Sequence, residues 1–528
     1  MPRQPKDPAG APGARASELF RQVMKARTRV YRLFPPTPTE PYPMPGGWTM
    51  LLKREDLSEI HSYKWRGAFN FVAAREREAR RRGVCAASAG NHAQGVAVSA
   101  ARLGIRAVLF MPQSAPRLKV ESVARLGEGK AEIRLEGDTY DDAARAAREF
   151  AAREGLLAVP PYDDLLVMAG QGTVADEMMT SPARPAAVYV QIGGGGLAAG
   201  VAAVVKTYDP AVRVIGVEAE GQASMSAAFA AGRPVTLPRV DIFCDGTAVK
   251  TAGKLTYAAL RRLLDSIVTV TQAEVSAAME ELWRAARVIS EPSGAMGLAA
   301  ARKDARALEG RSAGVILSGA NLDFRRLGNI ARRSGDPAGR QAHYQVELRE
   351  RPGALLAFLK AVAPAGLNIS RLMVGQYGSD LAYPVAGFEG REEGFPRLEG
   401  CMAEAGYRFA DVTGRPDLPF RVAPYQPSLL RRPYAAILHF PERPGALTEF
   451  LERVAPLANI SYFNYAHSGE QVGRALAVFS FENPSLRESF LEVLRTRGPE
   501  ITPLPRDTEY ALGLACEPQG EAYNALAK

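Results

Sequence analysis

The sequence predicts an α/β fold class: parallel sheets covered on both faces by helices over residues 48–330, then a βαββ unit that occurs twice. Three observations predict it. Apolar strand-like runs alternate with alanine-rich helical stretches, the pattern of consecutive βαβ units. Glycine- and serine-rich segments fall at the carboxyl ends of those runs, where folds of this kind take their ligands. Beyond the α/β region, residues 350–370 (ERPGALLAFLKAVAPAGLNIS) match residues 442–461 (ERPGALTEFLERVAPLANIS) almost position for position.

In chain order, WTMLLKREDL is an apolar strand that ends just before SYKWRGA. GVCAAS precedes the helical stretch AGNHAQGVAVSAARLG, IRAVLFMP precedes RLKVESVARLG, and AEIRLEG precedes TYDDAARAAREFAAREG. PAAVYVQIG leads into GGGLAAGVAAVVKTY, VRVIGVEAE follows, and AGVILSGAN closes the series as one more buried strand. The stretch RRSGDPAGRQAHY changes composition and reads as a linker. In each repeat a Pro-Gly pair follows a strand and opens a helix. The Leu-x-x-Phe-Leu-x-x-Val spacing gives that helix one apolar face, and NIS starts the next strand. The expected organisation is a flexible tail over 1–20, an α/β region over 21–332, a linker over 333–342, and repeat units over 343–425 and 433–512.

Composition narrows the function. With 528 residues, 47% apolar and 23% charged, the chain has the make-up of a globular protein with at least one large core. The net charge of +9 is dispersed over many arginines, with no basic stripe interleaved with aromatics, so no nucleic-acid partner is expected. Cys85, Cys244, Cys401 and Cys516 show no C-x-x-C spacing, which argues against a disulfide framework and a zinc site and suits a reducing cytoplasm. Five histidines form no ligand pattern, so no metal is expected, and no G-x-S-x-G elbow is present. No run reaches the ~18 apolar residues of a membrane span. The prolines and glycines of the first residues favour a flexible tail over a transit peptide.

Four stretches carry chemistry. Gly193, Gly194, Gly195 and Gly196 follow a strand and open a helix, so their amides can cradle a phosphate in the favourable field of a helix N-terminus. Gly194, Gly196 and Ala199 also satisfy G-x-G-x-x-A with Glu218 ending the next strand, which keeps a dinucleotide oxidoreductase as a remote alternative. Lys64 lies between strand and helix beside Tyr63. A desolvated lysine amine can form a Schiff base and later act as a base. SAGNHAQG places Ser88, a free backbone turn and Asn91 at a helix start, suited to a carboxylate and a phenolic oxygen. LSGAN ends a buried strand with Ser318, a neutral partner for a pyridine nitrogen.

Together these stretches resemble the pyridoxal-phosphate enzymes of the tryptophan synthase β-like fold, fold type II. KREDL…SYKWRGAFN, SAGNHAQGVA, AGQGTVADEM, GGGGLAAG, DGTAVK, EPSGA and SGANLDF occur in family order over nearly all of residues 20–330. With two ERPGAL units behind them, the chain is similar to the biosynthetic threonine ammonia-lyases (threonine dehydratases), whose catalytic part precedes two ACT-like regulatory subdomains.

The resemblance implies pyridoxal 5'-phosphate as cofactor, Lys64 as the Schiff-base lysine, and Tyr63 stacked beside the ring. It implies Asn91 at the ring oxygen, Gly193–Gly196 and Leu197 around the phosphate, and Ser318 at the pyridine nitrogen. Ser88, Ala89 and Gly90 would receive the substrate carboxylate. The implied reaction is β-elimination and deamination of L-threonine, with L-serine as a second substrate, inhibited by isoleucine and relieved by valine, in a cytoplasmic homotetramer. Serine/threonine dehydratases of degradative type and serine racemases share the catalytic motifs, but carry one small regulatory unit or none. Three positions depart from the family pattern: Tyr63 stands for phenylalanine, Trp65 for leucine, and Asp245 for glutamate. Being near the cofactor, they are expected to shape the substrate pocket, as is the unusual segment FPPTPTEPYPMPGGW.

Overall fold

Each apolar run named above forms a strand in the computed structural model. The structure describes residues 14–88, 90–113, 115, 117–137, 139–323, 326–328, 330, 340–349, 351–375, 381–413, 432–441, 446–466, 472–497 and 500–503. The chain divides into two compact units, residues 1–334 and 335–528.

The first unit holds two sheets. Its strands are β1 (Thr39–Met44), β2 (Trp48–Arg54), β3 (Val84–Ala87), β4 (Ala107–Met111), β5 (Ala131–Leu135), β6 (Leu157–Ala158), β7 (Ala187–Gln191), β8 (Arg213–Ala219), β9 (Ser266–Val270) and β10 (Ser312–Leu317). The larger sheet has the order β1-β2-β10-β7-β8-β9, parallel except for β1. The smaller is wholly parallel, in the order β5-β4-β3-β6. β4, β7 and all but the first residue of β8 are buried because helices cover both faces, as the apolar runs require. The segment 34–48 departs from expectation: TEPYPM is an antiparallel edge strand, where Pro41 and Pro43 cost no inner ladder bond.

The strand order explains the site. β2, β10 and β7 are neighbours, so the segments after their carboxyl ends converge: Lys64 after β2, Ser318 after β10 and Gly193 after β7. Three helices bind this edge together. The helices Leu165–Met179 and Gly196–Tyr208 cross so closely that a side chain on Gly200 would sit 2.3 Å from the Met168 carbonyl and 2.6 Å from the Gly172 amide. The helix Lys64–Ala74 docks on the first of these, with the Gly67 amide donating to Gln171 Oε1 at 3.2 Å.

The expected tail is shorter than 20 residues, because the helix Ala14–Val30 starts within it and buries Leu19, Val23, Ala26 and Val30. Residues 1–13 lie outside the described ones, as do 333–339 of the expected linker and Cys516. No described helix is long and apolar enough to cross a membrane.

The second unit carries the duplicated segments on one antiparallel sheet of eight strands, and the first copy adds a two-stranded pair, Leu348–Arg349 with Leu381–Ala382. Each copy exceeds the expected βαββ by a helix and a strand. Gly394–Glu404 and Phe409–Asp411 complete the first copy; Pro484–Arg497 and Glu500–Pro503 complete the second. The copies join through Asn368–Gly375 and Asn459–Ala466, in a register that runs from Arg371↔Ala466 to Gly375↔Tyr462. Met373 and Asn464, the central pair, are each the fifth residue after the asparagine of NIS, so the copies meet about a local twofold. The ERPG of the second copy and His467 lie outside the described residues.

Candidate active site

Lys64 opens its helix immediately after a tie between two strand ends. Ser62 bridges to Gly319, and the Tyr63 amide donates to the Ser318 carbonyl at 3.0 Å. The amine of Lys64 points inward, with Nζ 3.3 Å from the Pro161 carbonyl and 5.5 Å from the Tyr63 ring centre. Burial lowers its pKa to about 8, while the Glu291 carboxylate pulls the other way. Two residues on, in the same first turn, Arg66 is wholly buried and bound to Glu55 (Nε–Oε2 2.7 Å) and Glu177 (Nη2–Oε2 2.9 Å), with Lys53 completing the cluster. That cluster fixes the start of the helix, hence the origin of the Lys64 side chain.

The glycine loop has its own steric reasons. Gly195 has φ +94°, a conformation that glycine alone adopts cheaply, and delivers the chain into the helix Gly196–Tyr208. A side chain on Gly194 would overlap the Tyr162 ring at 2.3 Å. Tyr162 belongs to PPYDD, a hub between the two sheets. Pro161 receives the Lys64 amine, Asp163 caps the amides of Lys254 and Leu255, each at 2.9 Å, and Asp164 caps the helix Leu165–Met179.

Tyr63, Lys64, Asn91, Gly193, Gly194, Gly195, Gly196, Leu197 and Ser318 line one cleft of about 470 Å³. The structure thus gathers nine of the twelve residues singled out from the sequence. Ser88 and Gly90 sit on the turn beside it, where Ser88 Oγ accepts from the Gly90 amide at 3.1 Å; Ala89 lies outside the described residues. Sequence reasoning assigned no role to Tyr162, Gln191, Thr247, Glu291 and Ser293, which also line the cleft. Glu291 was legible as part of EPSGA. Ser293 belongs to the same motif and Thr247 to DGTAVK, whereas Gln191, at the end of β7, and Tyr162 belong to none of the motifs named above.

Glu291 is 4% exposed, and its carboxylate accepts the Asn91 amide at 2.9 and 3.2 Å. Burial and the neighbouring Asp245 raise its pKa to about 7, against Asn91 and Lys119, which lower it. Asp245 pairs with Lys119 at 2.7 Å and Arg326 at 3.2 Å.

Two expectations change. Trp65 does not line the cleft. It is fully buried in the core, where Phe34, the first residue of the unusual 34–48 segment, packs edge-on against it at 5.0 Å. Glu218 is engaged as a helix cap, accepting from the Met225 and Ser226 amides, both at 2.8 Å, and from the Ser226 hydroxyl at 2.6 Å. A dinucleotide ribose would have to displace all three, and nothing in that reading uses Lys64 or Ser318.

The cleft fits a phosphate-bearing pyridine. Side chains on Gly194 or Gly196 would strike Tyr162, so the loop presents backbone there, Lys64 and Ser318 line the same cleft, and the buried Gln191 Oε1 has no hydrogen-bond partner among the described residues.

The chain is similar to known proteins over most of its length. Residues 31–319 match the family model described as pyridoxal-phosphate dependent enzyme, and residues 431–512 match the C-terminal regulatory domain of threonine dehydratase. The biosynthetic L-threonine dehydratase IlvA of Escherichia coli (strain K12) is 37% identical over 449 residues, 81% of this chain and 84% of that one. The chloroplastic threonine dehydratase 1 of Solanum lycopersicum is 34% identical over 478 residues, covering 87% and 77%. Among solved structures, the processed form of threonine deaminase isoform 2 from Solanum lycopersicum superposes with a TM-score of 0.58 at 36% identity, over 62% of this chain and 96% of that one. Maize serine racemase does so at 0.55 and 30%, over 58% and 95%.

Proposed function

Since the chain belongs to the pyridoxal-phosphate-dependent enzymes, and among them to the threonine dehydratases with a C-terminal regulatory domain, we propose the following reading of its site. The protein converts L-threonine to 2-oxobutanoate and ammonia, a carbon–nitrogen lyase reaction. Pyridoxal phosphate supplies an electron sink for the negative charge that develops at the substrate α-carbon. The amides of Gly193–Gly196 and Leu197 hold its phosphate, Tyr63 flanks its ring, Asn91 donates to its ring oxygen, and Ser318 meets its nitrogen.

Lys64 binds the cofactor covalently and, once released, takes the α-proton on Nζ. A buried amine with a pKa near 8 has a substantial neutral fraction at physiological pH, as that task requires. Ser318 suits elimination because a neutral hydroxyl stabilises the developing charge less than a carboxylate would, so loss of the β-hydroxyl outpaces a long-lived carbanion. The turn at Ser88, Ala89 and Gly90 takes the substrate carboxylate. Convergence of Lys64, the glycine loop and Ser318 on one cleft is the observation that carries this reading.

Control by isoleucine as inhibitor and valine as activator is assigned to the second unit. An open depression lies between its copies, lined by Leu348, Leu355, Leu451 and Ile460 with Arg351 and Asn459 at hand. That is an apolar pocket beside a cation and a helix start, the complement of a branched-chain amino acid. A homotetramer in the cytoplasm completes the reading, supported by the resemblance and by cysteines suited to a reducing compartment.

The test is spectroscopic. Lys64→Ala is expected to lose the visible absorbance of the covalently bound cofactor and all turnover of threonine; an unchanged spectrum contradicts the assignment.

A further inference from the structure

Asn91 is the residue assigned to the cofactor's ring oxygen, and its carboxamide is held on both sides. One N–H of Nδ2 is shared by the two carboxylate oxygens of Glu291, at 2.9 and 3.2 Å. Oδ1 accepts from Asn321 Nδ2 at 2.8 Å, and Asn321 is itself anchored to the Ile60 carbonyl at 2.8 Å. A flipped Asn91 would set its oxygen against the carboxylate and lose Asn321, so the network leaves one orientation, with the second N–H free for an acceptor.

Glu291 in turn has little freedom. Its backbone amide donates to the Gly319 carbonyl at 3.1 Å, and a side chain on Gly319 would fall 2.7 Å from Oε1. The EPSGA motif therefore wedges a carboxylate between the end of β10 and Asn91.

We propose that Glu291 is a positioning residue that acts through Asn91, holding its N–H on the cofactor's ring oxygen and coupling its own charge to the electronic state of the ring. The inference rests on the cofactor reading above. A carboxylate makes the attached amide N–H a weaker donor to a second acceptor; protonation makes it a stronger one. The ring oxygen, and with it the acidity of the imine nitrogen on Lys64, then senses the charge on Glu291.

Glu291 titrates in the neutral range because burial and Asp245 favour its protonated form. The charged and titratable groups near it are Tyr63, Lys64, Cys244, Asp245 and Lys119, with Arg326 paired to Asp245 behind them.

The experiment is a titration of the purified holoenzyme from about pH 5.5 to 9, read by the visible absorbance of the bound cofactor. Wild type is expected to show a spectral inflection in the neutral range, and Glu291→Gln to lose it while retaining bound cofactor. Asn91→Ala, which leaves Glu291 in place and cuts the link, is expected to lose the inflection as well. Persistence of the wild-type inflection in either variant overturns the proposal. Should Glu291→Gln not fold, Asn91→Ala decides alone. A wild-type protein that binds pyridoxal phosphate but shows no neutral inflection overturns this inference only. A protein that takes up no cofactor overturns the reading beneath it too.

Discussion

At the scale of single residues, the chemistry is set by what burial does to Lys64. An ordinary lysine is almost wholly protonated below about pH 9, and a protonated amine neither attacks an aldehyde nor takes a proton. Desolvation lowers this amine to about 8. The rate at which cofactor-free protein captures pyridoxal phosphate is therefore expected to climb about tenfold per pH unit below 8 and to level off above it. A rate that keeps climbing to pH 10 would show a solvated lysine. Gly194 is the second such point. Its neighbour is the Tyr162 ring, so Gly194→Ala is expected to push the loop from the ring and weaken cofactor binding by at least about tenfold, or ~1.4 kcal/mol, in equilibrium dialysis. Lys64 and the glycine loop were legible because their types and order are specific. Tyr162 was not, because nothing in PPYDD marks it as facing Gly194 until the two sheets are docked. Trp65 shows the reverse: it adjoins Lys64 in sequence, yet turns away into the core against Phe34.

At the scale of elements, strand order and helix crossings do the positioning. The alternating runs predicted the parallel strands, since helices on both faces leave near-continuous apolar stretches. The prolines of β1 hid that strand, and the mixed SIVTV of β9 hid another, because edge strands lack the signature of buried ones. The cluster of Lys53, Glu55, Arg66 and Glu177 gave no periodic signal at all. Its partners come from β2, the turn after it and two separate helices, yet all are buried. Breaking it should be costly: Glu177→Gln is expected to lower stability by about 3–5 kcal/mol in urea unfolding at pH 7, by leaving Arg66 and Lys53 to share the single carboxylate of Glu55. Arg66 holds the Glu177 carboxyl below its ordinary range. The stability this contributes is full above that range and declines as pH falls through it, so the gap between wild type and variant should narrow in acid. A gap independent of pH would mean the pair is not ionised.

At the scale of the whole molecule, the duplication is the informative feature. The repeat predicted two alike units, and their second helices and fourth strands were missed because REEGFPRLEGCMAEAG and NPSLRESFLEVLRTRG share no motif. The two solved chains named above match 62% and 58% of this chain while being covered almost whole, a span like that of the first unit. Removal of residues 335–528 is accordingly expected to leave threonine turnover but abolish its inhibition by isoleucine, since an inhibitor must bind the less active state more tightly and its binding unit would be gone. Within the full chain, Arg351→Ala should raise the isoleucine concentration for half-inhibition by about tenfold, the loss of one charge-assisted contact to the effector carboxylate. Inhibition that survives the truncation would place the effector site elsewhere. The most direct measurement is the rate of 2-oxobutanoate formation from L-threonine by the purified full-length protein saturated with pyridoxal phosphate, with and without isoleucine and valine. Threonine-dependent 2-oxobutanoate, suppressed by isoleucine and restored by valine, is the predicted result; no 2-oxobutanoate from threonine under those conditions would contradict the account.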